Sequence, residues 1–302
     1  MIVLSIILLI LVFLAVMLVA GNNLSACVGP AVGSRIVTFR YGVVLGAIGF
    51  SAGLILQGST MVNSVSSLLP NSSQTLRAYA LTVAIIVFLI AYRIRVPMSL
   101  NMSIVGLLAG LSIAQSSPLD ILYVGETILT WVVVPLAAFV LAFGILRFFN
   151  RGWPSNFWRR LQAYKFLLLV FSFSTAYVTG ANTIGMIVAT GGFDLLTIIV
   201  AIAATFFGCF LLSKGPIKRI SEEFFLMRYA NATSTLLAST LLMEIATFLF
   251  IPLSITQTTT VAVLGVGMSY RTKFVSTKPF LKVATGWIIA PLLSFAIGVL
   301  IG

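Results

Sequence analysis

The sequence contains no histidine and very few charged residues. Asp, Glu, Lys and Arg make up only 8% of its 302 residues, and 60% of the chain is hydrophobic. About a quarter of the residues in an ordinary soluble domain are charged, so this composition excludes a soluble globular protein. Without histidine, the commonest metal ligand and the usual general base of hydrolytic enzymes are missing. We therefore expect neither a metal site nor an enzyme.

Cysteine and acidic residues are scarce as well. Cys27 and Cys209 lie far apart in apolar stretches, which predicts small buried side chains and excludes a disulfide framework or a CxxC site. Of the six acidic residues, Glu126 and Glu244 fall within or beside apolar stretches. A charged carboxylate inside a membrane is costly, so Glu244 is our candidate for a coupling group that carries a proton. Glu126 is interpreted as a residue near the membrane interface.

Apolar runs long enough to cross ~30 Å of hydrocarbon dominate the chain. The first, residues 1–20, has no basic segment before it and no small-residue cleavage site after it, which predicts a retained membrane helix rather than a signal peptide. The sequence predicts an all-α polytopic membrane protein with about ten transmembrane segments, some broken or re-entrant. They lie near residues 1–20, 42–58, 78–92, 97–114, 121–146, 166–183, 195–212, 232–250, 252–268 and 283–301.

The basic residues predict the orientation of these segments. The chain has 18 Lys and Arg and a net charge of +12. If the N-terminus is outside, all of them except Arg77 fall in cytoplasmic connections, as the positive-inside rule requires. We therefore predict a multi-pass protein of the cytoplasmic (plasma) membrane with both termini outside. The positive charge indicates topology in a lipid bilayer and not nucleic-acid binding.

Three pairs of landmarks recur along the chain in the same order, at offsets of 155 to 159 residues. Such recurrence indicates an internal repeat. The pairs are Gly21-Asn22-Asn23 with Gly180-Ala181-Asn182, Pro97-Met98-Ser99 with Pro252-Leu253-Ser254, and Trp131 to Pro135 with Trp287 to Pro291.

Each repeat holds five predicted segments, and an odd number places the second repeat upside down relative to the first. We predict a first inverted repeat over residues 1–149, a cytoplasmic linker over 150–162 and a second inverted repeat over 163–302. Secondary transporters with this architecture bind their substrate near the membrane midplane, where the repeats meet.

The paired motifs predict an oxyanion site without Lys or Arg. Glycine and proline after Asn23 and Asn182 predict broken helices, whose free backbone groups need a polar cavity. Each Pro-x-Ser motif predicts a helix start, where unpaired N–H groups and the macrodipole favour an anion. The alternatives are helices that end at the interface and hydroxyls that bond within their own helix. The candidate donors are Ser99, Asn101, Ser254, Thr256, Gln257 and Thr258, with Asn23 and Asn182 positioning the helices.

These motifs resemble those of the inorganic phosphate transporter (PiT) family, whose duplicated signature reads G-A-N-D-x-x-N-A. The stretches 21–35 and 180–186 resemble the two copies, and 97–106 and 252–268 resemble the family's second duplicated element, P-V-S-T-T-H. The resemblance implies an inverted-repeat carrier that takes up phosphate with Na+ or H+, with the substrate held between the signature pairs. It also implies roles for Asn23, Asn182, Ser99, Ser254 and Thr256 at matching positions.

The chain departs from the family at the acidic and histidine positions. The signature aspartate is Leu24 in one copy and Thr183 in the other, and the histidine is Met102 and Gln257. Na+ prefers anionic and carbonyl oxygens, so these replacements bear on the coupling ion. A site without carboxylates also lacks one way to prefer phosphate, which carries an O–H donor, over sulfate, which has only acceptors.

The sequence therefore predicts a secondary active transporter of inorganic phosphate, a symporter working by alternating access. The alternatives are a permease for sulfate or another oxyanion, and a non-transporting membrane protein that senses anions. No cofactor is predicted beyond Na+ or H+ as a coupling ion, and the expected partners are the anion and the lipid bilayer. A homodimer is left open.

Overall fold

A computed structural model describes residues 2–70, 72–93, 99–151, 156–223, 228–269 and 278–301. The predicted Pro97 and the linker residues 152–155 lie outside these ranges. The described residues form helices and no strand. The helices are α1 (Ile2–Gly33), α2 (Phe39–Gln57), α3 (Met61–Leu68), α4 (Gln74–Arg93), α5 (Leu100–Ala114), α6 (Ile121–Asn150), α7 (Phe157–Thr179), α8 (Gly185–Gly191), α9 (Leu195–Leu212), α10 (Lys214–Glu223), α11 (Tyr229–Phe248), α12 (Ile255–Met268) and α13 (Lys278–Ile301).

Helical stretches of membrane-spanning length make up most of the molecule. Seven stretches of the described residues are long and apolar enough to cross a bilayer, and α5 and α12 are shorter apolar helices. Large hydrophobic side chains such as Leu136 and Val140 remain exposed on their outer faces. The prediction of an all-α polytopic membrane protein is confirmed. The count of ten segments and the inverted repeats stay predictions. The seven stretches are Ile2–Gly33, Phe39–Leu68, Gln74–Ala91, Ile121–Asn150, Phe157–Gly191, Leu195–Leu212 and Ala284–Ile301.

The first signature copy lies inside an unbroken helix. Helix α1 continues through Asn23 and ends only at Gly33, so the predicted break at this copy is wrong. A Cβ atom on Gly21 would lie 2.8 Å from the carbonyl oxygen of Gly208 in α9. The glycine is therefore needed for a close approach of two helices, and glycine serves that purpose without interrupting the backbone.

The second signature copy widens its helix instead of breaking it. Helix α7 passes into a π-helical turn, Gly180–Ile184, and then into α8. The amide of Gly185 donates to the carbonyl of Gly180, five residues earlier. Such π turns are rare and occur frequently at functional sites.

Helices of one predicted half pack against helices of the other. Helix α1 packs on α9 and α7 on α2, while α5 packs on α13 and α12 on α6. Two of these contacts need a glycine, because a side chain on Gly110 would overlap the Phe295 carbonyl and one on Gly265 would overlap the Phe139 carbonyl. Equivalent helices thus make equivalent contacts across the two halves, as an inverted repeat would require.

Candidate functional site

Asn182 lies in the π turn and is fully buried. Its Nδ2 donates to the hydroxyl of Thr247, at 3.1 Å, and to the carbonyl of Ile251, at 2.9 Å. Its Oδ1 accepts from the backbone amide of Leu253 at 2.9 Å. The side chain therefore joins the π turn to the last turn of α11 and to the extended segment that precedes α12.

Glycines allow α2 to lie against both ends of the π turn. A side chain on Gly180 would overlap the backbone of Phe50 in α2. A Cβ atom on Gly185 would lie 2.9 Å from the carbonyl oxygen of Gly58, which follows α2. The π turn is thus packed between α2 and the segment that Asn182 binds.

That segment, residues 249–254, leaves the helical conformation, and its residues 251–254 are buried. Phe250 has a φ of 58°, and its carbonyl accepts hydrogen bonds from Tyr123, at 2.6 Å, and from Ser64. The carbonyl of Pro252 accepts from the indole Nε1 of Trp131 at 2.8 Å. Side chains replace the missing helical bonds here, because irregular backbone away from water is stable only where the protein satisfies its polar groups.

Asn101, in the first turn of α5, reaches the same segment from the other predicted half. Its Nδ2 lies 3.4 Å from the carbonyl oxygen of Leu253 and 3.5 Å from Oδ1 of Asn182. Both atoms are acceptors, so the hydrogen bonds fix the orientation of the amide. The buried Oδ1 of Asn101 then has no hydrogen-bond partner.

At the start of α12, the side-chain amide of Gln257 is likewise oriented by a hydrogen bond from its nitrogen. Its Nε2 donates to the carbonyl of Trp131 at 3.1 Å, which leaves the buried Oε1 without a partner. Its backbone amide donates to the hydroxyl of Ser254, the N-cap residue of α12, at 3.4 Å. The Ser254 hydroxyl also lies 3.1 Å from that of Thr256. The start of α12 therefore carries a capped helix end and an unpaired amide oxygen.

The structure brings together five of the eight predicted anion-site residues. Asn101, Asn182, Ser254, Thr256 and Gln257 lie around residues 251–254, and we call this group the polar cluster. Among the described residues, no lysine or arginine makes these contacts. From the described part of the chain, an anion there would meet helix ends, amides and hydroxyls.

Three predicted residues stand apart from these contacts. The hydroxyl of Thr258 donates to the carbonyl of Ser254 at 3.1 Å, so it bonds within its own helix. Ser99 is the N-cap residue of α5 but makes no side-chain capping bond. Asn23 is half-buried, and its Oδ1 accepts from its neighbour Asn22 at 3.2 Å.

Thr247, Trp131 and Thr183 were not predicted as site residues. Thr247 and Trp131 bond to the polar cluster, and the buried hydroxyl of Thr183 has no partner although it follows Asn182 directly. The position of Thr183 in the signature, where the family has aspartate, could have identified it. Nothing in the local sequence marks Thr247.

The two acids within or beside apolar stretches, Glu126 and Glu244, differ in their exposure and hydrogen bonds. Glu126 is exposed on α6, and its location near the membrane interface stays a prediction. Oε1 of Glu244 accepts a hydrogen bond from Nε2 of Gln57 at 3.1 Å, and its buried Oε2 has no partner. Among the acids whose side chains the structure describes, Glu244 alone is part-buried, whereas Asp120, Glu126 and Asp194 are exposed.

A bundle of apolar helices around a buried polar cluster is the architecture of an integral membrane transporter. The family model of the phosphate transporter family matches residues 19–177 and 154–298 of the chain. The protein belongs to the phosphate transporter family.

Its relatives include proteins named for two different anions. A protein of Methanocaldococcus jannaschii named as a phosphate permease is 28% identical over 299 residues, which cover 97% of this chain and 95% of the relative. The sulfate permease of Bacillus subtilis is 26% identical over 301 residues, covering 94% and 83%. A solved sodium-dependent phosphate transporter has the same fold, with a TM-score of 0.85 over 98% of both chains at 15% identity.

Proposed function

We propose that this protein is a secondary transporter that moves inorganic phosphate across the plasma membrane by alternating access. The anion binds at the polar cluster, where the start of α5, the π turn and the start of α12 meet. The observation that carries the proposal is a buried set of amides and hydroxyls with unpaired atoms and no lysine or arginine. The proposed binding residues are those of the polar cluster, Asn101, Asn182, Ser254, Thr256 and Gln257. Asn23, Ser99 and Thr258, which the sequence also predicts, stand apart from the cluster.

The start of α12 supports anion binding. The first intrahelical hydrogen bond of α12 runs from the amide of Thr258 to the carbonyl of Ser254, so the amides of Ile255 and Thr256 have no acceptor within the helix. The macrodipole adds the equivalent of about half a positive charge at this end. These groups stabilise negative charge without an ammonium or guanidinium group.

The unpaired amide oxygens of Asn101 and Gln257 support phosphate over sulfate. Both are acceptors whose orientation is fixed by the bonds of their own Nδ2 or Nε2 groups. Phosphate carries an O–H at neutral pH and can donate to such an oxygen, whereas sulfate has no proton to donate. A buried polar atom left unpaired costs about 1–3 kcal/mol, and the middle of that range, about 2 kcal/mol, corresponds to a preference of more than about tenfold. Sulfate remains the second candidate because of the sulfate permease among the relatives.

Uptake of labelled phosphate and labelled sulfate into proteoliposomes tests this proposal. We expect saturable phosphate uptake under a Na+ or a pH gradient, with at least about a tenfold preference over sulfate. No flux of either anion under any gradient would refute a carrier. Anion binding measured by calorimetry without flux would favour the sensing alternative.

The topology is part of the proposal: inverted repeats over 1–149 and 163–302, a cytoplasmic linker over 150–162, and both termini outside. The packing of helices of one half against helices of the other supports it. Single cysteines at Gln115 and Gln162, both exposed, can be labelled in whole cells with an impermeant thiol reagent, since the native Cys27 and Cys209 are buried. We expect label at residue 115 only. Label at residue 162 alone would show that the protein has the opposite orientation in the membrane.

A further inference from the structure

The Glu244 carboxylate is bound on one oxygen and free on the other. Oε1 accepts a hydrogen bond of 3.1 Å from Gln57, the last residue of α2. Oε2 is buried and has no hydrogen-bond partner. A carboxylate has acceptor capacity on both oxygens, so this one has room for a proton on Oε2.

The pair formed by Gln57 and Glu244 lies beside the polar cluster. Glu244 is three residues before Thr247, whose hydroxyl accepts the hydrogen bond of Asn182. Gln57 is followed by Gly58, whose carbonyl lies against Gly185 at the end of the π turn. The hydrogen bond between Gln57 and Glu244 therefore spans the same helices, α2 and α11, that hold the π turn in place.

Glu244 has no ion-pair partner among the described residues. Helix α11 packs against α7, α6, α12 and α1. Tyr177 of α7 is a titratable group on these helices that interacts electrostatically with Glu244. Helix α12 carries no titratable side chain. The others lie towards helix ends: Arg159, Arg160, Tyr164 and Lys165 of α7, Tyr123, Glu126 and Arg147 of α6, Arg40 and Tyr41 of α2, and Arg228 and Tyr229 at the start of α11. Cys27 of α1 lies beside the π turn, with its Sγ 3.5 Å from the hydroxyl of Thr179.

The other five acidic residues of the chain lie at helix ends or on an exposed helix face. Asp120 and Asp194 cap the N-termini of α6 and α9, and Glu126 is exposed. Glu222 and Glu223 end α10. Since the signature acids are replaced by Leu24 and Thr183, Glu244 is the described acid that lies on the same helix as a partner of Asn182, three residues before Thr247.

We propose that Glu244 is the proton-carrying group that couples anion transport to a pH gradient. The inference rests on the proposed phosphate transport. Glu244 takes up one proton on Oε2 from water on one side of the membrane and releases it to water on the other, and no other bond changes. An unpaired carboxylate is costly inside a membrane, so the neutral acid is the form that the bundle can enclose when the site changes sides. Gln57 donates to Oε1 in both states and holds the carboxyl group in position.

Phosphate accumulation and phosphate exchange in proteoliposomes separate coupling from binding. We expect a pH gradient without Na+ to drive accumulation of labelled phosphate in the wild type. Glu244→Gln should lower this accumulation at least tenfold and still exchange labelled for unlabelled phosphate at equal pH. Glu126→Gln, a matched change of an exposed acid, should behave as the wild type in both assays.

Glu244→Asp provides a second variant if the amide variant does not fold. It retains a carboxyl group and should keep accumulation driven by the pH gradient, with a shifted pH profile. Wild-type accumulation that follows a Na+ gradient alone, or undiminished proton-driven accumulation by Glu244→Gln, would overturn the proton role while leaving phosphate transport intact. Absence of both accumulation and exchange in the wild type would instead refute the proposed function.

Discussion

The two Gly-x-Asn motifs of this protein have similar sequences and different structures. The first lies in the continuous helix α1, where Asn23 is half-buried and bonds to its neighbour Asn22. The second forms the π turn, where Asn182 is fully buried and bonds to Thr247, Ile251 and Leu253. The same motif therefore serves as a helix contact in one half and as a central hydrogen-bonded crosslink in the other.

The two helix starts show the same asymmetry. Ser254 caps α12 through its hydroxyl, whereas Ser99 makes no capping bond at α5. The first half contributes Asn101, which reaches across to Leu253 and Asn182. The polar cluster is thus formed mainly by residues of the second predicted half. Four substitution pairs test this comparison.

The largest effect is expected from Asn182→Leu. The change removes one hydrogen-bond partner from the carbonyl of Ile251, the amide of Leu253 and the hydroxyl of Thr247. Each buried group that is left unpaired lowers the free energy of unfolding by about 1–3 kcal/mol. We expect phosphate uptake to be lost and thermal unfolding in detergent to occur at a clearly lower temperature. Asn23→Leu is the control and should retain most uptake. Equal losses in the two variants would show that the copies are equivalent after all.

Gly180→Ala should be the next most damaging change. Its methyl group would overlap the backbone of Phe50 in α2, and overpacking of this kind costs about 1–3 kcal/mol. Gly125→Ala is the control, because nothing lies within 4 Å of a Cβ atom there and alanine favours the helix. Thermal unfolding should shift down for the first variant and stay or rise for the second. The same unfolding temperature in both would argue against close packing at the π turn.

Gln257→Leu should mainly change anion selectivity. It removes the unpaired Oε1, so phosphate loses an acceptor for its O–H while sulfate loses an unfavourable neighbour. We expect the preference for phosphate over sulfate to fall by about tenfold, in line with one buried hydrogen bond. Competition of labelled phosphate uptake by sulfate measures this ratio, and Gln115→Leu, at an exposed position outside the polar cluster, is the control. An unchanged ratio would exclude Gln257 from selectivity.

The smallest effect is expected at the two helix starts. Ser254→Ala removes the capping bond to the amide of Gln257, and loss of an N-cap costs about 1 kcal/mol. Ser99→Ala removes no capping bond and should be milder. Thermal unfolding of the purified variants would compare them. A larger shift for Ser99→Ala than for Ser254→Ala would reverse the assignment of the cluster to the second half.

Local sequence signals predicted a large part of this structure. Hydropathy over long windows predicted an all-α membrane protein, and the helix starts at Ser99 and Ser254 follow from their Pro-x-Ser motifs. Glycine was interpreted wrongly at Gly21, because the sequence does not distinguish a glycine that ends a helix from one that allows close packing. The difference depends on Gly208, which lies far along the chain.

Composition and periodicity determine what each segment does alone: whether it enters a membrane, which helices form and where they begin. The π turn, the crosslink by Asn182 and the unpaired oxygens of Asn101, Gln257 and Glu244 were decided by tertiary structure. Gln57 and Glu244 are 187 residues apart in the chain, and Asn101 and Leu253 are 152 apart. A hydrogen bond depends on which atoms the packed helices bring within about 3 Å of each other, and no local pattern contains that distance.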